Sequence, residues 1–532
     1  MRRPVLRVRP LAPGRAPTAF QFRSAWYVPT TCSRLARLRL RWLAAASLAL
    51  GVGAALAQEA PKGKRHEDAA VHPVPWTFPP IDSCQPGESL RGWPPGTDAP
   101  AFPFHTGDTF SMEELDALKD FLPPYVWEQR DRFFYEGMQL EIGRCFADYS
   151  PPSFYRAATA AHVGEPKLAE DGGLVDYTAG LPFPPDRFGP EDPEAGAKWA
   201  WNFELRYQCA GFWGDFRTSD MVGRDGRVEP FVGEIFRAQT AFRSDRKSKD
   251  YKVPGARGKH WVVGGMLKEP FDARHYSWRQ YRDVDHMTDP DRSDDLHAYL
   301  PDYRRVRRVP ASGIEGVYMP SFSVGVIKPS SISGLVGGAG SVGGAMAATI
   351  TTKRSGFEGV ELRPLLYEMR VLGVQDVLTP INARTPAYPV DENREFGPWG
   401  LSFASDRWDL RRAVVLEGRA KASRSGDQMV RFIQHVDAQN LVPLYYASWD
   451  YNDEPIDVGM FVGRWSEDRE DYPRWPDDEK REVRGIDTTG AAFANLSVDG
   501  GWRRESWEMI CIPPKDAALK RDLSVTNLTK RR

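Results

Sequence analysis

The 532-residue chain is close to neutral, with 71 basic and 72 acidic residues, but the balance is uneven along it. Residues 1–57 hold ten arginines and no Asp or Glu; without those arginines the remainder carries a net charge of −11. Such an excess excludes the concentrated positive face that phosphate-backbone binding needs, so no nucleic-acid partner is expected, while 41% hydrophobic and 12% aromatic residues suffice for a large core.

The N-terminal stretch reads as an export leader. Arg34, Arg37, Arg39 and Arg41 precede an apolar run from Trp42 to Leu56, which ends Ala55-Leu56-Ala57. Charged region, apolar region and small-residue cleavage site are the parts of a secretory signal, with cleavage between Ala57 and Gln58. The run is shorter than the ~20 residues needed to span a bilayer. Position 58 is Gln rather than Cys, so no lipid attachment is expected there. A start near Val28 would leave a leader of ordinary length. Cys84, Cys145, Cys209 and Cys511 remain after cleavage. An even count in an oxidising compartment predicts at least one disulfide, with the pairing left open.

The Pro-rich stretch 58–107 reads as an extended arm, and 108–165 as a helical segment. Ser111-Met-Glu-Glu114 is a capping box opening a helix to about Leu122. Pro123-Pro124 ends it and begins a second helix through Phe134. A third runs from Pro151 to about His162. From about 166 to 515 strand patterns dominate: 199–207, 228–242, 261–266, 276–284, 297–308, 360–372, 411–416, 428–436, 444–451 and 456–465. Many alternate apolar and polar residues. Short polar turns such as Asp437-Ala-Gln-Asn440 imply an antiparallel meander, which must curl to protect its edges. Residues 516–532 read as a polar tail.

Several segments resemble one bacterial family, catalogued as domain of unknown function 1329, whose members are often labelled outer-membrane lipoprotein-sorting proteins. They are Gly172-Gly-Leu-Val-Asp-Tyr-Thr-Ala-Gly-Leu-Pro-Phe-Pro184, Trp201-Asn-Phe203, Asp289-Pro-Asp-Arg-Ser-Asp-Asp295 and Tyr299-Leu-Pro-Asp-Tyr-Arg-Arg-Val-Arg-Arg308. Gly359-Val-Glu-Leu-Arg-Pro364, Asp406-Arg-Trp-Asp-Leu-Arg-Arg412 and Asp437-Ala-Gln-Asn-Leu-Val-Pro-Leu-Tyr445 follow in order. The resemblance implies a mostly β (α+β) fold: a large curved antiparallel sheet forming an incomplete β-barrel, with helices packed against it. It is similar in this to the periplasmic lipoprotein carrier, whose hollow accepts acyl chains.

The remaining motifs point to little catalysis. In the Tyr299–Arg308 segment alternation places Arg305 and Arg307 on one face, where guanidinium groups suit a phosphate or carboxylate head group. Alternatively these arginines pair with the acidic loop before them (Asp289, Asp291, Asp294, Asp295). That loop lacks the EF-hand order and its glycine. Gly338-Ala-Gly-Ser-Val-Gly343 matches a dinucleotide fingerprint in letters only; within Gly334–Ala348 it reads as a small-residue flap. His260, His275, His286 and His297 are scattered, with no HExxH and no GxSxG. No metal, cofactor or catalytic residue is expected.

The function these readings support is a non-enzymatic periplasmic carrier or chaperone for a lipid or other hydrophobic molecule, with an association with the outer membrane as a further option. Its partners would be an inner-membrane exporter and an outer-membrane acceptor. Alternation nominates Trp261, Tyr276, Trp278, Phe432, Tyr446 and Met460 as cavity-lining residues, with Arg305 and Arg307 at the rim. An envelope-lipid hydrolase and a structural adaptor of an export complex are the alternatives. N-terminal sequencing of protein recovered from the periplasm is expected to read from Gln58; material beginning at Met1 or Val28 would contradict the leader.

Overall fold

The structure is a computed structural model. It describes residues 102–529 apart from 223–226, 247–252, 254–255, 257, 302, 310–315, 320–355, 358, 387, 389–393, 422–428, 497–499 and 507–515. The leader and its cleavage site, most of the Pro-rich arm, Cys84, Cys511 and the Gly334–Ala348 stretch lie outside the described residues. Cys145 and Cys209 are each disulfide-bonded.

Nineteen strands are described. They are β1 (Thr109–Phe110), β2 (Leu140–Cys145), β3 (Lys167–Leu168), β4 (Leu174–Val175), β5 (Gly211–Val222), β6 (Arg227–Gln239), β7 (Lys259–Glu269), β8 (Ser277–Asp283), β9 (Asp295–Leu300) and β10 (Arg305–Val309). There follow β11 (Val317–Tyr318), β12 (Gly356–Phe357), β13 (Tyr367–Thr379), β14 (Arg407–Ala420), β15 (Arg431–Asp437), β16 (Pro443–Trp449), β17 (Pro455–Trp465), β18 (Ile486–Asn495) and β19 (Gly500–Ser506). Fifteen of them form one sheet in the order β1-β2-β14-β15-β16-β17-β18-β19-β5-β6-β7-β8-β9-β10, with β13 also on β14. Every pairing in it is antiparallel except β2 on β14, which is parallel. The sheet curves into a half-barrel with helices alongside, as the family resemblance implies. The α-helices among the described residues are α1 (Pro124–Glu128), α2 (Arg130–Phe133), α3 (Ser153–His162), α4 (Ala195–Glu204) and α5 (Asp516–Asp522).

The capping box is present: Ser111 N donates to Glu114 at 3.0 Å, and the Met112–Phe121 turn it opens is a 3₁₀-helix. Two sequence expectations are corrected. Residues 199–207 are not a strand but lie largely in α4, of which Trp199 to Glu204 are all buried. A helix buried on every side has no polar stripe, so its aromatic run imitates a strand. Residues 297–308 are not one strand but the hairpin β9–β10, in which Leu300 pairs with Arg305 and Arg304 turns the chain at φ 50°. The sequence reading also omits β5, β18 and β19, whose many small and polar residues hide the period.

The sheet has two covered faces. Register follows one of them from Leu416 and Phe432 through Tyr446, Phe461 and Phe493 to Phe216, Val263 and Trp278. On that face α4 packs its Trp199 and Phe203 among Leu416, Phe432 and Phe493. Gly196 permits the approach: a Cβ there would stand 2.1 Å from the Met369 carbonyl oxygen of β13. On the opposite face residues 102–149 supply Leu118, Val126, Phe133 and Leu140 against Trp408, Leu410 and Val415. One polar bridge crosses this layer. Tyr125 Oη lies 2.7 Å from His435 Nδ1, and His435 Nε2 lies 2.9 Å from Gln375 Oε1. Since the amide oxygen only accepts, Nε2 carries the proton, and the tyrosine donates to Nδ1.

Two outcomes follow. Gly196→Ala should lower stability by about 1–3 kcal/mol, because backbone rather than a movable side chain opposes the new methyl; denaturant midpoints check this. Burial depresses His435 to about 3 from an ordinary 6.5, and holds His260 and His286 well below it. Below the ordinary value the unfolded chain takes protons that the native state refuses. Stability present at neutral pH should therefore fall as pH drops from 6.5 towards 3. His435→Gln should flatten that dependence, read from guanidinium midpoints between pH 7.5 and 5.

Candidate functional site

The residues nominated from alternation are all at most 3% exposed. Tyr276 and Trp278 lie together, ring centroids 6.2 Å apart, in a cluster with Phe216 and Leu267. Phe432 stacks on Tyr446 at 5.8 Å beneath α4. Trp261 packs with Val263 and Val317. Met460 pairs with Tyr445, not Tyr446, and so faces the opposite side, in the core under residues 102–149. The structure thus distributes the six over four clusters and two faces. Arg305 and Arg307 are exposed on β10. Of their neighbours, Arg308 pairs with Asp295 of the acidic stretch, and Asp294 serves Arg282 instead.

Beneath the C-terminal end of α4 lies a buried polar cluster. Arg282 of β8 donates to both oxygens of Asp294 at 3.1 Å, to Glu204 Oε1 at 3.1 Å and to the Leu362 carbonyl at 3.0 Å. Its guanidinium lies 4.6 Å over the Trp261 ring. Glu204 Oε2 accepts the Leu362 N–H at 2.7 Å. Arg237 of β6 pairs with Glu361 at 2.7 Å. Burial first, and then the Glu361 charge, raise the Glu204 carboxyl; burial lowers Arg206 to about 10. His260 and His286 complete the cluster, with Nδ1 of the first 3.1 Å from Nε2 of the second. The register shift between Lys259 and Trp261 falls on His260, and a bulge at that point re-aims its side chain towards α4. Spacing in sequence carries no trace of this meeting, since a bulge on β7 and a 3₁₀ turn after β8 create it.

A second site lies on the other face of β5–β8. There the alternate residues Trp213 and Asp215, Glu234 and Phe236, Met266 and Lys268, and Ser277 and Arg279 line up across the strands. The C-terminal segment closes over them: Ser277 Oγ donates to the Leu528 carbonyl at 3.1 Å, Arg279 Nε to Asp522 at 2.7 Å, and Tyr281 Oη to Leu523 at 2.8 Å. Between segment and sheet remains a cavity of about 360 Å³, within the range of small-molecule sites. Trp213, Phe236, Met266 and Leu528 give it an apolar wall. At its edge Lys268 is held by Asp215 at 2.8 Å and Glu234 at 3.0 Å. Gly264 makes room for Arg279, which a Cβ would meet at 2.6 Å, and that guanidinium lies 4.8 Å over Phe236. This site is not legible in the sequence, because β5 shows no clear alternation and residues 516–532 read as a polar tail.

No curated protein matches the chain. Among solved structures, a DUF1329 family protein from Desulfovibrio piger aligns at 12% identity over 63% of this chain and 98% of its own, with a TM-score of 0.35. A putative outer membrane lipoprotein-sorting protein domain from Vibrio parahaemolyticus aligns at 12% identity over 64% and 100%, with a TM-score of 0.34. A LolA superfamily protein from Nitrosomonas europaea aligns at 12% identity over 60% and 93%, with a TM-score of 0.28. A family model described as "Protein of unknown function (DUF1329)" matches residues 110–319 of the chain.

Proposed function

We propose that this protein is a non-enzymatic carrier or chaperone of the cell envelope that binds a lipid or other hydrophobic molecule. The observation that carries the reading is the cavity of about 360 Å³ between β5–β8 and the C-terminal segment, walled by Trp213, Phe236, Met266 and Leu528. Its physics is transfer of apolar surface from water, near ~25 cal/mol per Å² buried. The charged edge at Lys268, Asp215 and Glu234 suits the polar end of an amphiphile and keeps the mouth wetted. Among the described residues, α5 and the Val525–Thr529 turn close over this cavity, and their displacement would let a ligand in or out.

The leader and the two disulfide-bonded cysteines support an oxidising compartment, the periplasm in this reading. The aromatic set on the α4 face (Trp261, Tyr276, Trp278, Phe432 and Tyr446) would reach a ligand only if the segments covering it withdraw. Arg305 and Arg307, exposed on β10, are proposed as contacts for an anionic head group, or for the exporter and acceptor that load and unload a carrier.

Displacement of a fluorescent fatty acid from the mature protein tests this. Wild-type protein should bind, and Met266→Asp should weaken binding at least tenfold, because a carboxylate in an apolar wall costs about 1–3 kcal/mol or more. Met266 is only half-buried, so the fold should persist by circular dichroism. Trp278→Asp separates the two faces: binding lost there in a folded protein, with Met266→Asp unaffected, would move the ligand to the α4 face. Absence of any binding by wild type would overturn the carrier reading in favour of the adaptor.

A further inference from the structure

We propose that Glu204, His260 and His286 form a binding site for one divalent transition-metal ion of the zinc class, which clamps α4 to the β7–β8 strand pair. The three come from different pieces of chain: the last residue of α4, the bulge of β7 and the 3₁₀ turn Val284–Met287. Their ligand atoms lie within 4.8 Å of one another, the only such group of three among the described residues. His260 Nδ1 stands 3.1 Å from His286 Nε2 and 4.0 Å from Glu204 Oε1. Ligands about 2.1 Å from a tetrahedral ion stand about 3.4 Å apart. The imidazole pair, at 3.1 Å, is close to that separation, and the carboxylate needs to close by about 0.6 Å towards His260 and by at most about 1.4 Å towards His286.

The donor chemistry selects the ion. Two imidazole nitrogens and one carboxylate oxygen suit zinc and its first-row neighbours, not the all-oxygen shells of calcium and magnesium. The surrounding charge does not draw a cation in: Arg282 pairs with Asp294 and with Glu204, and Arg237 pairs with Glu361. Arg206 donates to the Phe203 and Val360 carbonyls, and Arg363 to that of Arg292. Those two guanidinium groups oppose any cation, so an ion must be held by strong direct bonds to nitrogen rather than by field alone. The bonds from Arg282 and the Leu362 N–H orient the carboxylate, which is the outer-shell support that metal ligands receive. All three side chains are at most 2% exposed, so the ion is structural.

The test uses mature protein dialysed against chelator, then titrated with cobalt(II) and with zinc(II) alone. One equivalent of cobalt should give the intense visible bands of a tetrahedral site, zinc should abolish them, and zinc should raise the thermal midpoint. His286→Gln should weaken binding roughly tenfold to a hundredfold or more, while His297→Gln, outside the cluster, should leave it unchanged. If His286→Gln does not fold, X-ray absorption of zinc-loaded wild type decides: two imidazole scatterers support the site, and an all-oxygen shell overturns it. Wild type that binds neither ion, or a His286→Gln protein that binds as tightly as wild type, also overturns it.

Discussion

Arg282 is the interaction on which the interior depends. Its fully buried guanidinium ties β8 to the acidic loop through Asp294, to α4 through Glu204 and to the 359–363 segment through the Leu362 carbonyl. A cation in that position is tolerable only because every partner is in place; losing one would leave a buried charge uncompensated, typically at about 3–5 kcal/mol. Burial of α4 follows from the same constraint. The helix ends on Glu204, so its register against the sheet is set by where that carboxylate must sit, and Gly196 then lets its first turn lie on β13.

The half-barrel gives each strand two different tasks. One face of β5–β8 holds the Arg282 cluster and the Tyr276–Trp278 core, while the other supports the C-terminal segment and the cavity. Alternation makes this division possible: Gly265 accommodates Trp278 on one side as Gly264 accommodates Arg279 on the other. At the β10 end of the sheet, exposed Arg305, Arg307 and Arg308 put charge on an edge that would otherwise invite another strand. Those arginines therefore have a structural use independent of any head group.

The proposed carrier function and a rigid interior are compatible in this architecture because the cavity and the filled α4 side lie on opposite faces. The α4 face is filled by the protein's own aromatic and charged side chains. Among the described residues the opposite face of β5–β8 is covered by α5, the Val525–Thr529 3₁₀ turn and Val253, and the C-terminal part is held through side-chain bonds to main-chain carbonyls of Asp522, Leu523 and Leu528. Few buried contacts and several replaceable hydrogen bonds are what a segment that opens requires.

Much of the fold was legible in the amino-acid order. Period-two alternation located β6, β7, β8, β14, β15, β16 and β17, the capping box located the Met112–Phe121 turn, and the motifs between 172 and 445 pointed to the family. Local pattern failed where burial removes the contrast it relies on, as in α4, and where small and polar residues blur it, as in β5 and β18. The sites belong to tertiary structure alone. His260 meets His286 because a one-residue bulge turns a β7 side chain towards a turn that follows β8. Alternation could group Met460 with its neighbours as an apolar face, but only strand register shows that it looks away from Phe432 and Tyr446. Sequence determines which residues alternate along a strand; which face is inside, and what covers it, is decided by pairing between strands far apart in the chain.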